Sequence, residues 1–315
     1  MQDNYGRSIN YLRLSITNQC NYRCIYCVDC DVIEKKEHGK ILSIEEFINI
    51  GKAAVECGIN KIRLTGGEPL IHDGVLKLCE GLKNIKGLDE LAITTNGARL
   101  PEMAKDLKQA GVDRINISLD TLKEDKFRKI TKTGSLSDVL NGVEAATKAG
   151  FKENKINVVL MGGVNDDEIN DFVNFTKDNE VSVRFIELMP IGPCKEWNDK
   201  FFIRTNEVIK RVPDLLPVRQ DGVSSVYKIK DALGSVGLIS PISNCFCENC
   251  NRIRITADGR IFPCLHSDLK YDVRNLSDKE LKEIICLAIK NKPRRHHIAE
   301  NHVSDNNDYM NRIGG

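Results

Sequence analysis

The sequence of 315 residues predicts an α/β protein, a partial (βα)6 TIM-like barrel over residues 1–189 followed by an α+β cap over residues 190–315. Three observations carry that prediction. From residue 12 to residue 189, short β-branched runs alternate with longer stretches of helical period, the pattern of βα units around a parallel sheet. The six units are fewer than the eight of a closed barrel, and right-handed crossovers curl them into an open one with a lateral mouth. After Met189 the alternation stops, and Pro190, Pro193, Pro213 and Pro217 punctuate a region of short strands.

Candidate strands are Leu12 to Thr17, Lys61 to Thr65, Glu90 to Thr95, Arg114 to Leu119, Lys155 to Met161 and Val181 to Met189. Several are apolar enough for a sheet covered on both faces. The first helix is announced by Ser43 with Glu46 three residues on, a capping box, and continues through Phe47, Ile50, Ala54 and Val55 at helical spacing. Ala145, Ala149 and Gly150 close another helix before a strand. In the cap, Asp258-Gly259 signals a hairpin. A capped helix runs from Ser277 through Glu280 towards Lys290. No internal repeat or low-complexity tract is visible.

Lys plus Arg number 46 against 45 Asp plus Glu, a net charge of +1. Whole-chain attraction to nucleic acid or to an anionic membrane surface is therefore not expected, and any basic site must be local. A hydrophobic content of 41% suits a globular chain with a substantial core. The longest apolar runs, residues 284–289 and 158–161, fall far short of the roughly 20 residues that cross a bilayer. The start, Met1 to Arg7, lacks the apolar stretch of a signal peptide, so the expected compartment is the reducing cytosol. In that compartment 12 cysteines point to metal or redox chemistry rather than to disulfides.

Cys20, Cys24 and Cys27 form C-x3-C-x2-C directly after the first strand, at the end of a barrel where βα folds place their sites. Structural zinc and iron–sulfur clusters usually take four protein ligands. Three thiolates leave one position open for a small molecule, unless Cys30 is a fourth ligand and closes a zinc or ferredoxin-like site. Cys247, Cys250 and Cys264 form a second set, C-x2-C with a third thiol that the hairpin folds back onto the pair. In isolation this set reads as a zinc ribbon completed by Cys245 or His266. Cys57, Cys79, Cys194 and Cys286 are dispersed, and for Cys57, Cys79 and Cys286, in apolar helical segments, an inert buried thiol is the default.

The loop Cys20-Asn21-Tyr22-Arg23-Cys24-Ile25-Tyr26-Cys27 resembles the signature of the radical S-adenosylmethionine (SAM) superfamily, in which three cysteines hold a [4Fe–4S] cluster and SAM binds its fourth iron. Gly66-Gly67-Glu68-Pro69, after the second strand, resembles that superfamily's GGEP motif, which recognises the SAM amino group. The stretches 12–17, 61–70, 94–97, 115–120, 184–189 and 246–254, with the terminal Ile313-Gly314-Gly315, together resemble the GTP 3′,8-cyclase family of molybdenum-cofactor biosynthesis almost end to end. The sequence departs from the family where Val28-Asp29-Cys30 replaces the usual Met-Pro, and where Asn18-Gln19 replaces a commoner Asp-Arg or similar pair.

The resemblance implies a lyase with SAM and two [4Fe–4S] clusters, the first on Cys20, Cys24 and Cys27, the second on Cys247, Cys250 and Cys264 with its open iron on the guanine of GTP. It assigns SAM contacts to Tyr26, Gly67, Ser118 and Met189. It assigns GTP contacts to Arg13, Arg63, Thr94, Lys155, Arg252 and Arg254, with Lys61 and Arg184 as further candidates. Lys61 and Arg63 lie two apart on a strand and share a face, as do Arg252 and Arg254. Arg13, Gly314 and Gly315 are implied as catalytic elements, the two glycines entering the active site beside Arg13. The implied reaction turns GTP into (8S)-3′,8-cyclo-7,8-dihydro-GTP through hydrogen abstraction at C3′ by a 5′-deoxyadenosyl radical. The implied partners are an electron donor, a downstream cyclic pyranopterin monophosphate synthase and a second copy of the chain in a homodimer, with neither nucleic acid nor membrane. Pro293-Arg294-Arg295-His296-His297 reads as a solvated connection to the tail. The rival readings are another auxiliary-cluster radical SAM enzyme, for instance one modifying a peptide, and a non-catalytic zinc protein. The first has no need of Arg252, Arg254 or the glycine tail, and the second leaves GGEP without purpose.

Overall fold

Side-chain alternation along each strand sets the architecture. The computed structural model describes residues 1–28 and 41–314, apart from the side chains of Asn198, Asp199 and Ala299. Strands β1 (Tyr11–Ser15), β2 (Lys61–Thr65), β3 (Glu90–Thr95), β4 (Arg114–Ser118), β5 (Asn154–Leu160) and β6 (Val181–Glu187) pair in parallel in chain order. Between them run α1 (Ile44–Glu56), α2 (Val75–Lys83), α3 (Leu100–Gln109), α4 (Glu124–Thr131), α5 (Leu136–Lys148) and α6 (Ile169–Asp178). Leu12, Leu14, Ile62, Leu64, Ile93, Ile117, Val158 and Phe185 are buried in one core with Phe47, Leu78, Leu107, Val139 and Phe172 of the helices. Burial of these apolar side chains, each worth about 1.5–3 kcal/mol, fixes which face of every strand turns outward to the helices.

The opposite face differs from the sequence expectation. It is lined by Tyr11, Arg13, Lys61, Arg63, Thr94, Arg114, Asn116, Lys155 and Arg184, a polar and largely cationic set rather than an apolar one. The sheet curls around it. Besides burial, Arg63 on β2 is among the charges that push the Arg184 guanidinium on β6 below its ordinary value. The two strands are four apart in the sheet. In a flat sheet that separation is about 19 Å; the curl of the barrel turns the two side chains towards a common lumen.

The segment after residue 189 joins the same sheet instead of building its own. Its strands are β7 (Leu216–Asp221), β8 (Ser224–Lys228), β9 (Ser235–Ile239), β10 (Arg252–Ile255), β11 (Arg260–Phe262) and β12 (Tyr271–Asp272). β9 adds in parallel to β6 and β10 adds in parallel to β1, so the sheet order is β12-β11-β10-β1-β2-β3-β4-β5-β6-β9-β8-β7. The two ends are not paired, and the barrel stays open. Pro217 lies in β7, an edge strand that tolerates its missing donor. Asp258-Gly259 turns the chain between β10 and β11 with Gly259 at φ +82°. Capping boxes start α1 (Ser43 with Glu46) and the helix Asp278–Lys290 (Ser277 with Glu280). That late helix packs on α1, where the Cys57 and Cys286 sulfurs are 3.1 Å apart. Among the described residues no helix is long and apolar enough to cross a membrane.

One N-terminal side chain ties the cap to the barrel. Arg7, paired with Asp3 at 2.6 Å, donates to the carbonyls of Cys247 (2.8 Å), Arg294 (2.9 Å) and Pro293 (2.7 Å).

Candidate functional site

Parallel pairing places equivalent residues of neighbouring strands at one level, about 4.8 Å apart. Arg254, Arg13 and Arg63 form such a row across β10, β1 and β2, and Arg252, Tyr11 and Lys61 form the level beneath it. Arg63 Nε donates to Tyr11 Oη at 2.5 Å and its Nη1 to Thr94 Oγ1 at 3.3 Å. Lys61 pairs with Glu90 at 2.6 Å. On the other wall Lys155 lies 3.2 Å from Asp221, which also accepts from Arg184. A small open cleft lies beside this trio, bounded by Lys155, Ser182, Asp221 and Ser235.

Crowding shows in the titration of these groups. Burial, then the neighbouring Arg63 and Arg252, hold Arg13 down at about 10 although Tyr11 opposes them. Burial lowers Arg254 well below its usual value, and Arg13 and Arg252 add to the effect. Burial and Arg184 bring Lys155 to about 8 against the pull of Asp221. Burial alone would raise the Tyr11 phenol, but Arg63, Arg13, Arg252 and Lys61 bring it below its ordinary value. Close-set buried cations repel one another, so the row suits a polyanionic ligand.

The C-terminal segment enters the lumen at its upper rim. The helix Met310–Ile313 ends on Gly314, whose carbonyl and that of Ile313 accept from Arg254 Nη1 at 2.5 and 3.3 Å. Gly314 has φ +69°, and a Cβ there would stand 2.3 Å from Thr65 Oγ1 and 3.3 Å from Ser15 Cβ. Ser15 and Thr65 form the level directly above Arg13 and Arg63. Gly315 lies outside the described residues.

The first cysteine loop is held from two sides. Gly67 N donates to Thr17 O and Glu68 N to Gln19 O, both at 2.7 Å, and a Cβ on Gly67 would meet Gln19 O at 2.1 Å. Only glycine allows this approach. Glu68, fully buried, accepts from Leu70 N (2.9 Å), Thr95 Oγ1 (2.7 Å) and Asn96 N (2.6 Å), and burial pushes its carboxyl up to about 7 in spite of them. Arg23 and Ile25 N–H groups bond the carbonyls at the end of α4, Thr131 and Ile130. Tyr26 Oη donates to Asp120 Oδ2 at 2.7 Å just beyond β4, and burial pushes Asp120 up to about 6. Ser118 ends β4 and Met189 follows β6, so both stand at the rim where the loop lies.

Cys20, Cys24 and Cys27 are half-buried. Burial pushes the Cys20 thiol up to about 11, and burial with the adjacent Cys27 raises Cys24 further. Such thiols become thiolates when a metal cation supplies the compensating charge. The chemistry of the donor set, three thiols side by side in one loop, fits a metal centre.

The second set gathers around a buried lysine. Lys292 Nζ donates to Arg252 O (2.9 Å) and Pro263 O (2.7 Å). Burial would raise the Cys250 thiol, but Lys292 and Arg252 bring it down to about 6. His266, a candidate fourth ligand from sequence, instead contacts Ser304 Oγ through Nδ1 at 3.1 Å. Cys30 lies outside the described residues. Sequence reasoning missed Arg7, Lys292, Asp120, Asp221 and Glu187. Glu187, fully buried at the end of β6, accepts from Ile242 N (3.0 Å) and Ser243 N (2.9 Å) and so orients the loop that leads to Cys245. Asp120 and Glu187 lie in the stretches 115–120 and 184–189 but carried no assigned role there, and Arg7, Lys292 and Asp221 stand outside every motif because the carbonyls or cations they meet are remote in sequence. His296 sits in the arginine-rich run read as solvated, and that reading fits Arg294, Arg295 and His297, which are exposed, but not His296.

A family profile described as Radical SAM superfamily matches residues 14–176, and one described as Molybdenum Cofactor Synthesis C matches residues 181–298. A GTP 3′,8-cyclase of Peptoclostridium acidaminophilum is 47% identical over 319 residues, spanning 99% of this chain and 98% of the relative. One of Alkaliphilus oremlandii is 45% identical over 321 residues, the whole of both chains. Among solved structures, Streptococcus suis SuiB bound to S-adenosylmethionine aligns with a TM-score of 0.59 at 15% identity, over 91% of this chain and 64% of that one. The structure titled anSMEcpe with bound AdoMet aligns at 0.54 and 16%, over 90% of this chain and 81% of that one. At such identities these two likenesses speak for the fold.

Proposed function

The chain belongs to the GTP 3′,8-cyclase family of the radical SAM superfamily, and from that membership we propose how its own residues divide the work of converting GTP to 3′,8-cyclo-7,8-dihydro-GTP. The radical SAM fold brings SAM and a [4Fe–4S] cluster, and Cys20, Cys24 and Cys27 are the residues to hold it. When bound, that cluster would supply the electron for reductive cleavage of SAM; hydrogen would be taken from C3′ of GTP, C3′ would join C8, and one electron and one proton delivered to the resulting nucleobase radical would complete the 7,8-dihydro product. Cys247, Cys250 and Cys264 would hold a second [4Fe–4S] cluster, which would bind the guanine. Residues 1–189 thus carry the SAM half and residues 190–315 the auxiliary half.

The single observation behind this division is the row of guanidiniums from Arg254 through Arg13 to Arg63, continued across the lumen by Lys155 and Arg184. Guanidiniums form bidentate contacts with phosphate oxygens, and Lys155 acts as a point charge. Arg252, beneath the row, extends it, and Thr94 orients Arg63. At the rim Tyr26, Gly67, Ser118 and Met189 shape the SAM side. Gly314, held over the row by Arg254, closes the pocket above Arg13, and the proposed role of Gly314 together with Gly315 is to keep water and stray hydrogen donors from the radical. The protein works in the cytosol with an electron donor and as a homodimer, and it hands its product to a cyclic pyranopterin monophosphate synthase.

The test is anaerobic purification with iron–sulfur reconstitution, followed by SAM, GTP and reductant. About eight irons per chain, the count for two [4Fe–4S] clusters, and 5′-deoxyadenosine that forms only with GTP are expected. Zinc without iron, or 5′-deoxyadenosine indifferent to GTP, overturns the assignment.

A further inference from the structure

The compact group of metal-ligating atoms among the described residues coincides with neither three-cysteine set, though it shares Cys247 with the second. Cys245, Cys247 and His296 bring one ligand atom each to within 4.8 Å of one another. Cys245 Sγ and His296 Nε2 are 3.4 Å apart. A tetrahedral zinc with bonds of about 2.3 Å to sulfur and 2.0–2.1 Å to nitrogen spans an S···N edge of about 3.5 Å. The site is therefore already shaped for one small ion and too tight for a cubane.

Its two supporting segments are fixed independently of any metal. Arg7 holds the Cys247 carbonyl and the carbonyls of Pro293 and Arg294 in one guanidinium, so a single buried side chain sets the distance between the cysteine loop and the segment that carries His296. The His296 ring leans edge-on against His266, with centroids 5.0 Å apart. Nε2 also contacts Pro241 O at 3.2 Å, and Nδ1 accepts from Ile298 N at 3.4 Å. Coordination through Nε2 moves the imidazole proton to Nδ1 and gives up both contacts, the one Nε2 makes to Pro241 O and the one at the limit of a hydrogen bond from Ile298 N, which the two metal–ligand bonds to thiolate and the one to imidazole replace. Cys245 is exposed, which leaves the ion an entry path and the fourth coordination position to water.

We propose that Cys245, Cys247 and His296 form a binding site for one soft divalent cation of the zinc class in the cluster-free chain. Thiolate and imidazole ligands together select this class over magnesium or calcium. Because Cys247 also belongs to the second three-cysteine set, the ion and the cluster proposed for that set exclude each other; only this consequence rests on the proposed function. Zinc in the cluster-free chain would then hold the second set out of reach while leaving Cys20, Cys24 and Cys27 untouched.

The experiment is a cobalt(II) titration of the full-length, cluster-free chain under anaerobic conditions, read by thiolate-to-cobalt charge transfer and tetrahedral d–d absorption, with zinc as competitor. In a chain carrying Cys20→Ser, Cys24→Ser and Cys27→Ser, which removes the first set as a competing thiolate site, one tightly bound cobalt per chain is expected. Cys245→Ser and His296→Ala should each weaken it by at least about 100-fold, the upper end of what an outer-shell change costs, while Cys250→Ser and Cys264→Ser leave it unchanged. His296→Cys should keep the ion and raise the charge-transfer intensity in the ratio of three thiolates to two. Cys245 is exposed, so its variant keeps the fold and the comparison remains decisive. Cobalt that needs Cys250 or Cys264, or that survives the loss of Cys245, overturns the proposal.

Discussion

Replacing Gly314 with Ala tests the tail with a magnitude set by its surroundings. Gly314 occupies φ +69°, a conformation that costs an L side chain about 1–2 kcal/mol. The new methyl carbon stands 2.3 Å from Thr65 Oγ1 on a barrel strand, and such overpacking costs about 1–3 kcal/mol. The sum, about 2–5 kcal/mol, shifts the balance from docked to released tail by at least roughly 30-fold. Opposing it are the bonds from Arg254 to Ile313 O and Gly314 O, about 1.5–3 kcal/mol each as charge-assisted contacts. Strain at a chain terminus is relieved by local undocking, so the fold should survive. Strain and holding bonds are of the same size, so the docked population, and with it GTP-dependent 5′-deoxyadenosine formation, should fall, by up to about 30-fold, with iron content and thermal midpoint essentially kept. Thr65 Oγ1 has no hydrogen-bond partner among the described residues, so Thr65→Ala sacrifices none. In the double variant it should recover the steric part of the loss and not the backbone part, a coupling of about 1–3 kcal/mol. Wild-type turnover by Gly314→Ala, or no recovery in the double variant, refutes the reasoning.

Arg63→Met should raise the KM for GTP by about 10- to 100-fold, the worth of one or two charge-assisted contacts, and should shrink the thermal shift that GTP produces; an unchanged shift would place the triphosphate elsewhere. Lys155 titrates at about 8, and its charged form is the one that meets phosphate, so kcat/KM for GTP should fall as pH rises through that value. Lys155→Arg should move the fall upward, and a profile that keeps its position in that variant would assign it to another group. Gly67→Ala sets a Cβ 2.1 Å from a backbone carbonyl of the loop that carries Cys20. Iron after reconstitution should drop from about eight to about four per chain, and full iron content would contradict the role given to that contact.

Much of this arrangement was legible because it is local. All six barrel strands begin or end within a residue or two of the β-branched runs that announce them, and both capping boxes form where Ser43 and Ser277 signal them. The hairpin at Asp258-Gly259 is equally local. What local pattern could not carry is pairing across the chain. Nothing in residues 252–255 says that they will lie beside residues 11–14, because the energy of that ladder depends on two segments meeting. The polar lumen was half visible: Lys61 with Arg63 and Arg252 with Arg254 have the spacing of one face, yet only the sheet shows Arg254, Arg13 and Arg63 standing abreast. Arg7 and Lys292 read as ordinary surface charges. Each is buried because it satisfies several backbone carbonyls at once, a count that no sequence window contains.

The pairing of β1 with β10 also sets a timetable for biosynthesis. At about 5–20 residues per second, Tyr11 leaves the ribosome on the order of tens of seconds before Arg252, its neighbour in the sheet. During that interval β1 is an open edge, and the lumen behind it has neither its second wall of arginines nor its plug. Residues 310–314 are made later still and can dock only on an Arg254 that is already in place. The mouth therefore closes last, from within the same polypeptide, and whatever must be installed in the interior has the whole of that interval to arrive.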